Sequence, residues 1–410
     1  MFVRPWVPEA PPGCRSARRA RPETQTEMKI LVLTKRQYMG KDLLDDRFGR
    51  FRELPLELAK LGHEVKGVCL SYRARREGTF TDGGAGQAAR VSWHSINLGG
   101  LILPGLLRYY LAVKKIGRRF QPDIIWACSD ALHAIWAVSL AKQLQTRCVV
   151  DLYDNFEAFG ATHIPGILSF FKGALKNADG VTCISNPLAE HVSHSYRPKG
   201  SIRVLENAVR KDLFFPQDRN HCRRSLGLPE NASLVGTAGA LYPERGVTAL
   251  FRGFEIVASE DKNIHLALAG PRSRIHGLPR GPQVHDLGVL PLEKVPLLFN
   301  ALDVAVIYNR DSSFGRYCFP QKAYEIMACG TPFIAAAVGS MKSLLDGRPE
   351  LLFDPESPGS CAEALRLQLK KPTPPDLEAP GWSDFAQRLE SFFLQIVAAG
   401  AAVQVRGVVV

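Results

Sequence analysis

The 410 residues hold nine cysteines, and no two are spaced C-x-x-C. An odd, scattered set (14, 69, 128, 148, 183, 222, 318, 329, 361) argues against a disulfide framework or a zinc site, and makes a reducing cytoplasm the expected setting. No stretch reaches the roughly 18 to 20 uninterrupted apolar residues of a membrane-crossing helix. The longest candidates, 99–113 and 396–410, are broken by Arg108 and Arg406. Two nucleotide fingerprints are missing as well. Neither G-x-x-x-x-G-K-[ST] nor G-x-G-x-x-G follows the first strand-like run, which disfavours a P-loop NTPase and a nicotinamide oxidoreductase. Acidic residues are in deficit, 40 against 52 Lys and Arg, for a net charge of +12.

That excess is local. Residues 28–206 carry 25 basic and 16 acidic residues, whereas 207–410 carry 22 and 21. A basic half-molecule suits an anionic substrate, an anionic membrane surface or nucleic acid, and no nucleic-acid reader motif accompanies the charge. Its densest part is LLRYYLAVKKIGRRF (106–120). Here Leu107, Tyr110, Leu111 and Val113 form an apolar side, and Arg108, Lys114, Lys115, Arg118 and Arg119 cover the other. Such a helix can lie on anionic lipid, or simply be a solvated surface helix. The Pro- and Arg-rich residues 1–27 have no apolar period and read as a disordered tail, with MKILVLT from Met28 as the natural first strand.

From Met28 onward, strand-like runs alternate with helical patterns. The first series is 29–34, 64–70, 91–98, 123–128, 148–153, 180–185 and 201–205; the second is 233–240, 264–270, 303–308 and 332–337. Helices fall between, such as FRELPLELAKLG (51–62) with its glycine stop. Two βαβ series predict an α/β protein of two doubly wound, Rossmann-like domains with parallel sheets, spanning 28–206 and 207–378 and facing across a cleft. After a Pro-rich linker, WSDFAQRLESFFLQIV (382–397) reads as an amphipathic helix within a crossover segment 379–397, with Ser383 as N-cap and the first domain as the surface it covers. Residues 398–410 read as a second tail.

Two segments of the second half point to phosphate chemistry. GTAGALYPERGVTALFRGF (236–254) puts Gly239, Arg245 and Gly246 between a strand and a helix, where amide N–H groups and a forked guanidinium attract anions. CFPQKAYEIMACGTPFIAA (318–336) reads as a short helix with Pro320 at its first position, followed by a strand. Ala323, Ile326 and Met327 face inward, and Lys322 and Glu325 share the other face. An exposed i,i+3 ion pair is the plain alternative, worth a few tenths of a kcal/mol. If the helix start faces the same cleft edge as Arg245, Lys322 and Arg245 would neutralise a diphosphate, and Glu325 would accept from both hydroxyls of a ribose.

Together with ADGVTCISNPLAEHV, VLENAVRKDLFFP and LPLEKVPLLFNALDVAVI, these segments resemble the family-four (group one) glycosyltransferases of GT-B fold, in a subgroup with a P-x-K-x-x-E donor motif. The resemblance covers about 28–397. It implies retaining, metal-independent transfer of a sugar from a nucleotide sugar, with Glu325 on the ribose, Lys322 and Arg245 on the pyrophosphate, and the 382–397 helix crossing back to the first domain. Lipid-linked acceptors are common among similar enzymes, which gives the basic helix a peripheral, inner-face membrane as its partner. Two positions depart from the family pattern. Many relatives have a glutamate eight before Glu325, where this chain has Tyr317 (or Ser312 in a longer-loop alignment), and an arginine where it has Ala240.

In the first domain, VVDLYDNFEAFG (149–160) ends a strand at the cleft edge. Asp154 or Asp151 could position or deprotonate an acceptor hydroxyl, or serve the local turn. Tyr153 stands where many relatives have a histidine, and Gly40 falls on the same acceptor side. His191 and His194 lie three apart with no third ligand, so no metal is expected. The rival readings are a non-catalytic nucleotide-sugar binder and an NAD-binding oxidoreductase.

Overall fold

The computed structural model describes residues 27–406, apart from 39, 84–88, 159, 273–277 and 374–375. The expected N-terminal tail falls outside the described residues except for Glu27, as do residues 407–410.

The first domain runs β1 (Lys29–Lys35), β2 (Gln37–Tyr38), β3 (Lys41–Asp42), α1 (Arg50–Lys60), β4 (Glu64–Ser71), β5 (Gly78–Asp82), β6 (Val91–Asn97), α2 (Ile102–Phe120), β7 (Ile124–Ala127), α3 (Ala131–Leu144), β8 (Arg147–Leu152), α4 (Ile167–Asn177), β9 (Gly180–Cys183), α5 (Asn186–Tyr196) and β10 (Ser201–Val204). The second runs α6 (Arg219–Leu226), β11 (Ser233–Ala238), α7 (Val247–Glu260), β12 (Ile264–Ala269), β13 (Val284–Asp286), α8 (Val295–Ala301), β14 (Val304–Ile307), α9 (Ser313–Tyr317), α10 (Lys322–Ala328), β15 (Phe333–Ala336), α11 (Ser340–Leu344), β16 (Leu352–Phe353) and α12 (Pro358–Lys370). Last comes α13 (Trp382–Arg406).

The sheet orders are β10-β9-β8-β7-β1-β4-β6-β5 and β13-β12-β11-β14-β15-β16. Every pairing in them is parallel except β5 with β6. Helices cover both faces, so the central strands are continuous apolar runs: Ile30 to Leu33, Ile124 to Ala127 and Val304 to Ile307 are all buried. Each order reverses once, at β1/β7 and at β11/β14, and those switch points are where an open sheet leaves a crevice at its carboxyl edge.

α13 returns to the first domain and packs on α1 and β8. Phe385, Leu389, Phe392 and Phe393 are buried, and the Phe393 ring meets Trp126 edge-on at 6.0 Å. Gly180 makes room: a Cβ there would lie 2.4 Å from Ile396. His63 and Glu390 meet at 2.9 Å within this interface. Two details differ from expectation. Ser383 lies inside the first turn, and the Asp384 carboxylate instead accepts the Gly381 N–H at 2.7 Å, one half of a capping box. The helix also continues through 398–406, which the sequence reads as tail.

Candidate functional site

The second-domain side is assembled at the β11/β14 switch point. β11 ends into Gly239, whose φ of +130° suits a residue without a side chain; a Cβ would sit 3.1 Å from the Lys322 Nζ. Lys322, at the start of α10, reaches over this glycine. Its ammonium lies 4.2 Å from the centroid of the Tyr308 ring and 3.5 Å from the Thr237 hydroxyl. Tyr308 is fixed in turn by donating its hydroxyl to the Ala240 carbonyl at 2.7 Å. Burial pushes the Lys322 ammonium down to about 8, against the pull of Glu325. Arg245 closes a short turn before α7, its guanidinium 3.7 Å from the centroid of the Phe314 ring. Gly246 caps α7 at φ +89°, and a Cβ there would come within 2.8 Å of the Asn309 backbone.

Glu325 is half-buried one turn into α10 and accepts from the Gln321 amide at 2.9 Å. Burial pushes its carboxyl up to about 7, with that hydrogen bond and the Lys322 charge pulling the other way. Pro320 is not the first helical residue: the helix opens at Lys322, and the Pro320 carbonyl instead accepts the Ala323 N–H at 2.9 Å in a tight turn ahead of it. The crevice beside Glu325 is bounded across the cleft by Arg47, Phe48 and Gly49 and holds about 20 Å³. Ligand pockets are typically about 300 Å³ or larger, so this cleft is nearly shut at the Glu325 end.

The first domain faces it with Asp154, Lys35 and Tyr153. Asp154 is 7% exposed and accepts the Asn155 N–H at 2.8 Å. Burial pushes its carboxyl up to about 6, opposed by that bond and by the charges of Arg245, across the cleft, and Lys35. Lys35, at the end of β1, donates to the Tyr153 hydroxyl at 2.8 Å. Its backbone N–H donates to Ser129 Oγ at 2.8 Å, and Ser129 holds a φ of +85° at the end of β7. Asp130 follows, capping α3 through the His133 N–H at 3.0 Å and accepting from Tyr72 at 3.1 Å. Lys35, Ser129 and Asp130 carry no motif; only the position of β1 beside β7 unites them.

The other sequence candidates lie elsewhere. Asp151, offered as an alternative to Asp154, is fully buried: Arg50 donates to it at 2.8 Å and Thr182 at 2.6 Å, so it has no surface to show an acceptor. Gly40 is exposed in the β2–β3 turn with φ +79°. Arg108, Lys114, Lys115, Arg118 and Arg119 are all on α2, and Val113, expected on an apolar contact side, is core. Tyr317 turns towards the first domain, where its ring meets His191 at 5.0 Å and its carbonyl accepts from Ser185 at 2.6 Å. His194 bonds the Glu190 carbonyl. Among the described residues, no three His, Cys, Asp or Glu are grouped to hold a metal ion.

Residues 50–208 match the family model described as glycosyl transferase 4-like domain, and residues 232–371 match that of glycosyl transferases group 1. The D-inositol 3-phosphate glycosyltransferase 2 of Catenulispora acidiphila is 30% identical over 190 residues, covering 42% of this chain and 43% of that one. The Nocardioides D-inositol 3-phosphate glycosyltransferase is 28% identical over 259 residues, 56% and 54% of the two chains. The chain thus spans about half the length of the curated relatives it matches. Among solved structures, the sucrose-phosphate synthase of Thermosynechococcus elongatus superposes with a TM-score of 0.65 at 18% identity, over 93% of this chain and 99% of that one. Anabaena HepE in complex with UDP gives 0.61 at 18%, over 92% and 100%. These neighbours share the two-domain GT-B fold.

Proposed function

The chain belongs to the group 1 glycosyltransferases, and we propose that it moves a sugar from a nucleotide-sugar donor to a hydroxyl of a glycan or lipid-linked acceptor, in the synthesis of a cell-surface polysaccharide or glycolipid. The observation that carries this is the pair of cations, Lys322 and Arg245, at one switch point with Glu325 a turn away. Each cation is seated on an aromatic ring, which leaves its N–H donors for phosphate oxygens.

In this reading the cations hold the pyrophosphate and stabilise the charge that grows on it as the sugar–phosphate bond breaks, a contribution worth several kcal/mol in comparable sites. Glu325 takes both ribose hydroxyls. The acceptor hydroxyl enters from the β1/β7 side, held by Asp154, which can also take its proton as the new bond forms. Attack on the face from which the diphosphate departs retains the anomeric configuration, as in the family, and needs neither a metal nor a covalent intermediate.

The test is calorimetric titration of UDP, GDP, ADP, dTDP and NAD into the protein, followed by release of the matching diphosphate from its nucleotide sugars with EDTA present. One diphosphate binding, with turnover indifferent to EDTA, supports the reading. Binding without turnover on any acceptor would favour the non-catalytic binder that Tyr317 and Ala240 suggest. NAD binding alone would end the transferase reading.

A further inference from the structure

One face of the first domain lies outside the candidate site, and it carries the basic helix whose sequence suits an anionic lipid surface. α2 packs beside α3, and α3 beside α4. These helices have 19, 14 and 11 residues, and between them carry eight Lys and Arg, five on α2, with no Asp or Glu. Among the described residues, the carboxylates paired with these cations stand at the borders of the face, Glu77 with Arg108 at 2.6 Å and Glu157 with Lys172 at 3.4 Å. An ordinary solvated face mixes both signs.

The same face exposes large apolar side chains. Leu103, Leu107 and Leu111 are 78%, 58% and 55% exposed, and their i, i+4, i+8 spacing sets them in one stripe along α2. Phe170, in the first turn of α4, is 67% exposed. In parallel βα units, helices begin where strands end, so the start of α2 (after β6) and of α4 (after β8) crown the carboxyl edge that also bears Lys35 and Asp154. No helix of the described residues is long and apolar enough to cross a membrane.

We propose that this face docks the protein on an anionic lipid surface. Leu103, Leu107 and Leu111 enter the boundary between headgroups and acyl chains, and Lys115, Arg118 and Arg119 pair with lipid phosphates. An apolar stripe bordered by cations alone is the chemistry of an interfacial helix. The charge complementarity also selects the occupant: a second copy would set like charges face to face. With Leu103 to Arg119 all engaged, α2 lies along the surface, and the carboxyl edge of the first sheet opens alongside the headgroups. On the transferase reading above, that is where a lipid-borne acceptor hydroxyl would arrive, but docking itself does not depend on turnover.

The experiment is co-sedimentation of the full chain with vesicles of phosphatidylcholine alone, or with about one third phosphatidylglycerol. It compares wild type, L103S/L107S/L111S and K115E/R118E/R119E. Circular dichroism and diphosphate affinity, both expected unchanged, report that each variant is folded. Wild type should bind the anionic vesicles and release them as salt rises; each variant should bind at least about tenfold more weakly. Equal binding to neutral vesicles, or variants that bind like wild type, would overturn the proposal. So would a wild type that ignores vesicles and dimerises through the leucines. Because no outcome requires transfer, docking and catalysis fail separately.

Discussion

Replacing Glu325 by glutamine and titrating the bound diphosphate against pH probes the centre of the site. In the free protein the Glu325 carboxyl is pushed up to about 7 and the Lys322 ammonium down to about 8, both chiefly by burial. A ribose needs Glu325 ionised and a pyrophosphate needs Lys322 protonated, so affinity should peak between these values and fall on both sides. The two groups interact, so the limbs report the pair. At pH 6 only about 10% of the carboxyl is ionised if it titrates alone. Loss of a charge-assisted contact costs about 1.5–3 kcal/mol, so the acid limb should drop roughly ten- to a hundredfold before levelling. Glu325→Gln should start at the weak level and keep the alkaline limb. The terminal phosphate, with a second pKa of about 6, contributes an acid limb of its own, and this is the part that survives in the variant. Stability gives an independent check. A carboxyl raised from 4.5 to about 7 keeps its proton in the folded state while the unfolded chain has lost it. This group's contribution to stability therefore declines as pH rises through that window and is flat on either side. The substitution should flatten the slope in urea melts. A variant that binds as tightly as wild type, with the acid limb intact, would refute both the ribose contact and the buried titration.

Two further outcomes follow from the same geometry. Gly246→Ala forces a Cβ to 2.8 Å from the Asn309 backbone at φ +89°, and should destabilise the protein by about 2 kcal/mol or more in urea unfolding; an unchanged midpoint would show that the turn relaxes freely. Asp154→Asn should lower turnover about a hundredfold and erase the limb of the rate profile near 6, where burial has moved this carboxyl, while leaving diphosphate affinity within a few-fold; a limb that persists would remove Asp154 from the acceptor's proton path.

Much of the fold was legible because parallel strands buried on both faces write themselves as runs of Ile, Val and Leu, as in KILVLTK and the IIWA of β7. The β2–β3 hairpin, the GTFTD of β5 and three-residue β13 have no such run, since they are short or exposed at an edge. Lys322 and Glu325 stand out within one helical turn, and Arg245 within the short loop before α7. What the sequence could not show is what supports them. Tyr308 under Lys322 and Phe314 under Arg245 meet only through tertiary packing, and Ser129 and Lys35 are 94 residues apart until β7 pairs with β1. Asp151 had a usable signal: it falls inside the fully buried run of β8, whereas Asp154 comes after the strand has ended. Pro320 was placed by composition, but the turn that precedes α10 is set by a backbone bond from Ala323.

The chain passes between the domains twice, once leaving β10 and once entering α13, and the two passages touch: Val209 pairs with Gly381, and its N–H donates to the Pro380 carbonyl at 3.1 Å. Laced together, they form a two-ply strap instead of two independent tethers. A strap of that kind bends about one line and resists twist, because twisting would shear the bond between its plies. The 20 Å³ crevice at Glu325 lies between Phe48 of the first domain and Gln321 of the second, so a swing about that line would carry the two apart. Admission of a nucleotide and the separation of the two facing sides would then be one motion, hinged where the strap is sewn.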